Sequence, residues 1–274
     1  MNGLDLAKHV REYLLSPGSN SIPKEKALSA ELVSARMFEE PLIAITDACN
    51  PKFRELQSRD VIGEHFMLPG QWLPGAKSVV SFFFPFTEAI RESNKADMLY
   101  PSKGWLNGRI EGQLFINSFS RFMVALFNNS GYKAVSPSVD QRFLTNAGAD
   151  NHGFHALFTS NWSERHVAYV CGMGTFGLSR GLITAKGMAG RFTSVITEQP
   201  LLADKQKERR FDEDCIMCGK CAKNCPAKAI SLEHGKDHEA CSKFLNSVLS
   251  ENRPWYGCGK CQVNVPCESK NPRK

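Results

Sequence analysis

Cysteine is nearly absent from the first 214 residues of this 274-residue chain, which hold only two of its ten cysteines, Cys49 and Cys171. Long apolar runs are absent as well. The most apolar stretch, residues 79–86, is interrupted by Pro85 and is far shorter than the ~20 residues of a membrane-spanning helix. The first ten residues carry charge where a secretory signal peptide is apolar, and they contain no twin-arginine pair. We therefore predict a cytoplasmic protein without a membrane segment.

The other eight cysteines lie within the last 60 residues, and their spacing predicts iron–sulfur clusters. From Cys215 to Pro226 the sequence reads C-x2-C-x2-C-x3-C-P, which is the signature of bacterial ferredoxins with two clusters. Three cysteines at every third position surround one [4Fe–4S] cube, and the fourth, Cys225, ligates the other. The predicted ligands are Cys215, Cys218, Cys221 and Cys267 for the first cluster, and Cys225, Cys241, Cys258 and Cys261 for the second.

Zinc sites and disulfide bonds are the alternative interpretations of these cysteines. Zinc binds through C-x2-C pairs, but a triple C-x2-C-x2-C run followed by C-P suits it poorly. Disulfides are unusual in a reducing compartment, and nothing in the sequence marks the chain for export. Cys267 departs from the spacing of the first group, because five residues separate it from Cys261.

A run of charged residues at 204–214 divides the chain. Its composition predicts a solvated linker, so we expect two domains, residues 1–203 and residues 204–274. The formal net charge is +6, and two clusters with four thiolates each, at about −2 per cluster, would lower it to about +2. This small positive charge is weak support for a nucleic-acid partner.

Helix and strand patterns alternate along the N-terminal part and predict an α+β sandwich. Apolar residues at helical spacing predict helices over residues 4–15, 28–38 and 105–128. Short apolar or β-branched runs predict strands over residues 42–46, 76–85 and 133–136, and a hairpin of residues 182–184 with 191–197 around Gly187. We expect Cys171, Trp105 and Trp162 to be packing residues.

Residues 162–184 form a glycine-rich segment. A short helix is predicted to begin at Ser163 and to run into Gly172-x-Gly174-x-x-Gly177. A dinucleotide-binding fingerprint has a strand before such glycines and a helix after them. Here the order is reversed, so the segment does not predict NAD binding. Glycines at these positions still allow a large ligand to approach the backbone closely.

The pattern S-E-R-x-x-A-x-x-x-G-x-G-x-x-G from Ser163, followed by C-x2-C-x2-C-x3-C-P, resembles the epoxyqueuosine reductase family, a relative of the reductive dehalogenases. L-P-G-A-K-S-V at residues 73–79 and the single Cys241 between the two cysteine groups resemble that family too. The likeness covers roughly residues 40–267. It implies a nitroreductase-like α/β sandwich followed by a two-cluster ferredoxin-like module, with base-off cobalamin beside one cluster. The implied corrin contacts are Gly172, Gly174, Gly177, Leu178 and Ser179.

Two departures from that family concern its tRNA chemistry. The queuosine enzymes have a catalytic aspartate in a G-x-D-Y-H stretch at the start of a long helix, whereas residues 108–112 here read G-R-I-E-G. Glu111 is the nearest acid, and we expect it to be an exposed helix residue. The chain also ends seven residues beyond Cys267, where those enzymes continue into a helical-repeat region. We therefore expect no tRNA partner, and no catalytic residue is assigned.

The functional prediction is a cobalamin-dependent iron–sulfur reductase of unknown substrate, in which electrons pass through two clusters to base-off cobalamin. The alternatives are an electron-transfer, corrinoid-reducing or cobalamin-carrying protein without its own small-molecule substrate, and a plain ferredoxin with a structural N-terminal domain. A reduced ferredoxin or flavodoxin-type protein is the expected donor, and a corrinoid protein is a candidate partner. D-N-H-G at residues 150–153 resembles a loop that supplies histidine to cobalt, but His155 replaces its glycine and a turn is predicted.

Overall fold

The computed structural model describes residues 3–145 and 159–274. The strands are β1 (Leu42–Asp47), β2 (Ser78–Pro85), β3 (Ala134–Val135), β4 (Gly174–Phe176), β5 (Leu182–Thr184), β6 (Gly190–Thr197), β7 (Ile230–Ser231) and β8 (Gly235–Lys236). Four of them form an antiparallel sheet in the order β1–β2–β6–β3. The pairs β4–β5 and β7–β8 form two separate two-stranded ribbons.

The described residues also form helices. They are α1 (Gly3–Leu15), α2 (Lys52–Glu55), α3 (Pro69–Trp72), α4 (Glu88–Ser93), α5 (Lys103–Asn129), α6 (Glu164–Val170), α7 (Lys220–Lys223) and α8 (His238–Asn252). Short 3-10 turns occupy Lys24–Lys26, Ala30–Leu32 and Pro137–Val139. In the part of the chain that the structure describes, no helix has the length and apolar character needed to cross a bilayer.

The two faces of the central strand β2 are covered by different cores. Phe82 and Phe84 pack against Phe119 of α5, with ring centroids 5.0 and 4.9 Å apart. Phe83 belongs to the other core, together with Trp162 next to α6. Successive side chains of a strand point to opposite faces, so an unbroken apolar run fills both cores. The predicted α+β architecture is confirmed.

Most predicted elements are confirmed. The helices at residues 4–15 and 105–128 correspond to α1 and α5, and the short helix from Ser163 is α6. The three single strands correspond to β1, β2 and β3. Cys171 and Trp162 are buried as packing residues, and Trp105 is buried but also lines a cavity described below. The run at 204–214 is mostly exposed, although Asp214 at its end is buried.

The predicted helix over residues 28–38 is wrong. Apart from the single 3-10 turn Ala30–Leu32, this segment is irregular, and Ser34 has a φ of +62°. Phe38 forms a β-bridge with Phe86 and stacks on its ring with centroids 5.2 Å apart. Burial of consecutive side chains, Met37 and Phe38, favours an extended backbone here over the helix that the apolar spacing predicted.

The predicted hairpin between residues 182–184 and 191–197 is also wrong. β5 pairs with β4, whereas β6 pairs with β2 and β3. Gly187 does form a tight turn with Thr184, at a φ of +74°. A Cβ at Gly187 would lie only 2.2 Å from the carbonyl oxygen of Glu268. The turn therefore packs on the cysteine-rich end and carries the chain from the ribbon into the sheet.

The cysteine-rich end is fixed to the helix α4 region by buried polar contacts. Lys260 is fully buried, and its ammonium donates to the carbonyl oxygen of Asn94 at 2.7 Å. The Asn94 amide donates in turn to the carbonyl oxygen of Cys258 at 2.9 Å. Glu268 forms an ion pair with Arg91 at 3.4 Å. These contacts hold residues 258–268 against the N-terminal part, and the boundary at residues 203/204 stays a prediction.

Candidate iron–sulfur sites and the adjoining cavity

The four ligands predicted for the first cluster, called the first set below, lie around one small cavity. Met217 and Gly219 have left-handed backbone conformations, with φ of +50° and +70°, and they curve the loop from Cys215 to Cys221. Helix α7 follows at once, so the C-x2-C-x2-C spacing turns three thiols toward the same space. The fourth comes from the far end of the chain. The cysteines that line this cavity are Cys215, Cys218, Cys221 and Cys267.

The other four predicted ligands lie around a second, larger cavity of about 250 Å³. Cys225 follows α7, Cys241 lies in the first turn of α8, and Cys258 and Cys261 belong to the loop anchored by Lys260. The structure thus separates the eight cysteines into the two sets of four that the sequence predicted, with Cys225 in the second set. Their coordination of iron stays a prediction.

Four thiols line each of the two cavities. Within residues 3–145 and 159–274, no three histidine, cysteine, aspartate or glutamate side chains are close enough to hold a single metal ion. A zinc site needs four donors at about 2.0–2.3 Å from one ion. A four-iron cube takes one thiolate at each iron and keeps the sulfurs apart. The four thiols that line each cavity are the donor set that such a cube takes.

Burial favours the neutral thiol form of four of the candidate ligands. Burial raises the pKa of Cys221 to about 11, and it raises the pKa of Cys258 and of Cys267 to about 12. The pKa of Cys261 is raised for the same reason. Iron binds thiolates, so assembly of either cluster must release protons from these side chains.

Three arginines and a lysine share the larger cavity with the second cysteine set. Arg109 comes from α5, Arg165 from α6, Arg191 from β6 and Lys236 from β8. Burial, together with the charges of Arg109 and Arg165, lowers the pKa of Arg191 to about 9. A guanidinium with that pKa is still charged at neutral pH. The Arg109 guanidinium lies 4.4 Å from the centre of the Tyr256 ring. The cavity is therefore strongly positive.

Two of the five implied corrin contacts serve backbone packing. A Cβ at Gly172 would lie 3.0 Å from Cγ of Gln206, whose side chain covers this glycine. Gly174 lies in β4, and a Cβ there would lie 2.0 Å from the carbonyl oxygen of Ile183 in β5. Both glycines allow two segments of the protein to approach each other, and neither lines either of the two cavities.

The other three implied corrin contacts face the first cysteine set, since Gly177, Leu178 and Ser179 line its small cavity. The larger cavity, at about 250 Å³, is below the ~300–1,000 Å³ of typical small-molecule pockets. It must also accommodate the second cluster, whose four predicted ligands line it. A corrin is larger than a drug-sized ligand, so this cavity does not fit one beside the cluster. The five implied contacts do not fit one either, because they line no common cavity.

Glu111 is buried, at 4% exposure, and is not the exposed helix residue that the sequence predicted. Its carboxylate accepts hydrogen bonds from the Asn107 amide at 2.7 Å and from the Trp255 indole N–H at 3.2 Å. Trp255 lies three residues before Cys258. The hydrogen bond to Glu111 therefore holds the segment that leads to Cys258 against α5. Its side chain is not among those that line the larger cavity.

Sequence patterns did not point to the basic residues of the larger cavity. Arg165 is part of the S-E-R motif, and Arg109 stands in the stretch 108–112 where the queuosine enzymes have their acid. Their positions in these two motif segments were the available signal. Arg191 and Lys236 carry no such signal, because only folding brings them to the cavity. Residues 150–155, including His152 and His155, lie outside the described residues.

Comparison with known families supports an iron–sulfur assignment. A family model described as a 4Fe-4S binding domain matches residues 210–231, which contain all four cysteines of the C-x2-C-x2-C-x3-C-P run. The chain therefore contains a ferredoxin-like iron–sulfur binding region.

Two curated relatives are more specific, although they match only part of the chain. The tetrachloroethene reductive dehalogenase of Sulfurospirillum multivorans is 35% identical over 82 residues, which are 29% of this chain and 16% of that protein. A tetrachloroethene reductive dehalogenase of Desulfitobacterium hafniense is 42% identical over 72 residues, 26% of this chain and 13% of that protein. The chain thus matches 16% or less of the length of either relative.

Solved structures extend the likeness to the fold of most of the chain. An epoxyqueuosine reductase superposes with a TM-score of 0.50 at 16% identity, covering 97% of this chain and 66% of that one. A reductive dehalogenase superposes with a TM-score of 0.54 at 17% identity, covering 85% of this chain and 31% of that one. The resemblance seen in the sequence is confirmed, and at this identity it is a likeness of fold.

Proposed function

We propose that this protein is an iron–sulfur oxidoreductase that holds two [4Fe–4S] clusters and reduces a small molecule bound in the larger cavity. The observation that carries this proposal is the division of eight cysteines between two cavities, the larger of which also has basic and aromatic walls. The clusters, when bound, supply one-electron transfer. The protein supplies the thiolates, the charge around them and the shape of the cavity.

The surroundings of the two cysteine sets suggest different roles. Cys218 is exposed, and the neighbouring Ile216 and Met217 are 41% and 46% exposed. An apolar exposed loop of this kind suits contact with an electron-donor protein such as a reduced ferredoxin or flavodoxin. The second set lines the larger cavity, which has basic and aromatic side chains in its walls. We therefore propose that electrons enter at the first set and leave from the second.

We also propose the domain boundaries and the compartment. Residues 1–203 would form a nitroreductase-like sandwich, because helices cover both faces of the central sheet and enclose two cores. Residues 204–274 would form the two-cluster module, because the mostly exposed run at 204–214 leads into the 4Fe-4S binding region. A cytoplasmic location agrees with eight free thiols that must stay reduced until iron binds.

In the crossed arrangement of ligands, Cys225 belongs to the C-x2-C-x2-C-x3-C-P run but ligates the second cluster. Replacing Cys225 with serine tests this arrangement. The variant is expected to weaken or abolish the EPR signal of the second cluster, because Cys225 lines the cavity of that set. The first cluster should keep its signal. Cys49→Ser is the matched control, since Cys49 is exposed and lies in neither set. A Cys225→Ser variant that loses only the first cluster would refute the crossed arrangement.

A cobalamin-dependent reductase is the second candidate, and the partial likeness to tetrachloroethene reductive dehalogenases favours it. One structure of similar fold is described as suggesting a mechanism for B12-dependent dehalogenation. This candidate predicts that cobalamin added anaerobically to the iron-loaded protein changes its absorbance to the base-off form. The concentration range is tens of micromolar, and free cobalamin is the control. An unchanged spectrum would reject this candidate and leave the first proposal standing.

A further inference from the structure

The larger cavity holds more positive charge than a cluster neutralises. Arg109, Arg165, Arg191 and Lys236 line it, and none of the described residues lining it is acidic. An oxidised [4Fe–4S] cube together with its four thiolates carries about −2. Four cationic side chains beside that charge leave a surplus of about two positive charges. Phe86 and the other aromatic walls lower the local polarity, which makes an unbalanced charge costly.

Within residues 3–145 and 159–274, no carboxylate is paired with these cations to balance the surplus. Arg165 donates to the carbonyl oxygen of Arg180 at 2.9 Å, and Arg191 donates to the side-chain oxygen of Gln113. The buried Nε of Arg109 has no hydrogen-bond partner. Each guanidinium has five N–H donors, so most donors remain available.

The three arginines approach the cavity from separate rigid elements. Arg109 stands on the long helix α5, Arg165 on α6 and Arg191 on the sheet strand β6. Guanidinium groups match the geometry of carboxylate and phosphate through paired hydrogen bonds. Trp105 and Phe86 add apolar surface beside them. This combination recognises a small molecule with one anionic end and one apolar part.

We propose that the larger cavity binds a small oxyanion, a carboxylate or a phosphate ester, through Arg109, Arg165 and Arg191, with the apolar part of the molecule against Trp105 and Phe86. The inference rests on the proposed function, because it names the class of molecule that the second cluster would reduce. The competing explanation is that the arginines only compensate the charge of the cluster. That explanation leaves the surplus positive charge without a partner.

Calorimetry on the anaerobic, iron-loaded protein tests the site with benzoate, inorganic phosphate and neutral benzamide as probes. Benzoate and phosphate are expected to bind, and benzamide is expected not to, because it has the ring of benzoate without the charge. Arg191→Gln should weaken benzoate binding by about 10- to 100-fold, since a hydrogen bond to a charged group is lost. Arg165→Gln is the second variant, in case the strand position of Arg191 tolerates no change.

Arg121→Gln is the matched control, because Arg121 lies on the same helix as Arg109 but is exposed and away from the cavity. Benzoate should also shift the EPR signal of the cluster that Cys225→Ser perturbs and leave the other unchanged. Equal binding of benzamide and benzoate, or unchanged benzoate affinity in both arginine variants, overturns the inference. Iron-loaded protein that binds neither anion overturns it as well, and the proposed function survives. Protein that assembles no clusters overturns the proposed function.

Discussion

Replacing Cys218 with serine is expected to lower the iron content from about eight to about four atoms per chain. Cys218 lines the cavity of the first set, together with Cys215, Cys221 and Cys267. A cube that loses one of four thiolates is no longer held, whereas the second set keeps all of its ligands. The measurement is iron and acid-labile sulfide per chain after anaerobic purification. EPR of the reduced protein then identifies which cluster remains.

The control for this prediction is Cys49→Ser, in which an exposed thiol outside both sets is removed. Its iron and sulfide contents should equal those of the unmodified protein. Full iron content in Cys218→Ser would contradict the assignment of this residue. Stoichiometric zinc without sulfide in the unmodified protein would contradict the cluster assignment altogether and revive the zinc interpretation.

Replacing Asp214 with alanine is expected to destabilise the protein by about 3–5 kcal/mol, because it leaves buried partners of a carboxylate without their acceptor. Asp214 is 2% exposed and directly precedes Cys215. Its carboxylate accepts hydrogen bonds from Thr175 at 3.0 Å and from Asn271 at 2.5 Å, and it forms an ion pair with Arg209. One side chain therefore joins the first cysteine loop, strand β4 and the C-terminal segment.

The thermal midpoint of Asp214→Ala should fall by on the order of 10 °C. Calorimetry or far-UV circular dichroism under anaerobic conditions measures it, and the first cluster should be lost before the second. Asp212→Ala is the matched control, since Asp212 pairs with Arg210 at 2.9 Å on the exposed surface. It should change the midpoint little. Equal midpoints for the two variants would show that the buried network does not support the cysteine loop.

Elements with strong local patterns could be predicted from the sequence. β2 is a continuous apolar run in the middle of the sheet, and the apolar spacing of α5 extends over seven turns, so both were recognised. The segment around Phe38 failed because a short apolar spacing fits an extended backbone as well as a helix. The hairpin around Gly187 failed because strand pairing depends on long-range partners, and β6 finds its partner in β2.

Among the site residues, too, those placed by a local pattern could be predicted and those placed by long-range contacts could not. The sequence could predict that Cys215, Cys218 and Cys221 lie around one cavity, because a C-x2-C-x2-C run places thiols by local loop geometry. It could not predict that Glu111 is buried under Trp255, because that contact joins residues 144 positions apart. Gly174 is a similar case. A glycine indicates that its backbone lies close to another group, and only the fold shows that this group is the backbone of Ile183 in β5.

The sequence by itself determined the iron–sulfur character of this protein, because the spacing of its cysteines is a local property of one loop and one short tail. Only the tertiary structure decided what surrounds the second set of thiols. Arg109, Arg165 and Arg191 lie on three separate elements, and no spacing along the chain relates them. The packing of α5, α6 and β6 around the cysteine-rich end brings their charges to one cavity. Long-range packing, which a local pattern does not encode, thus sets the chemistry beside the cluster.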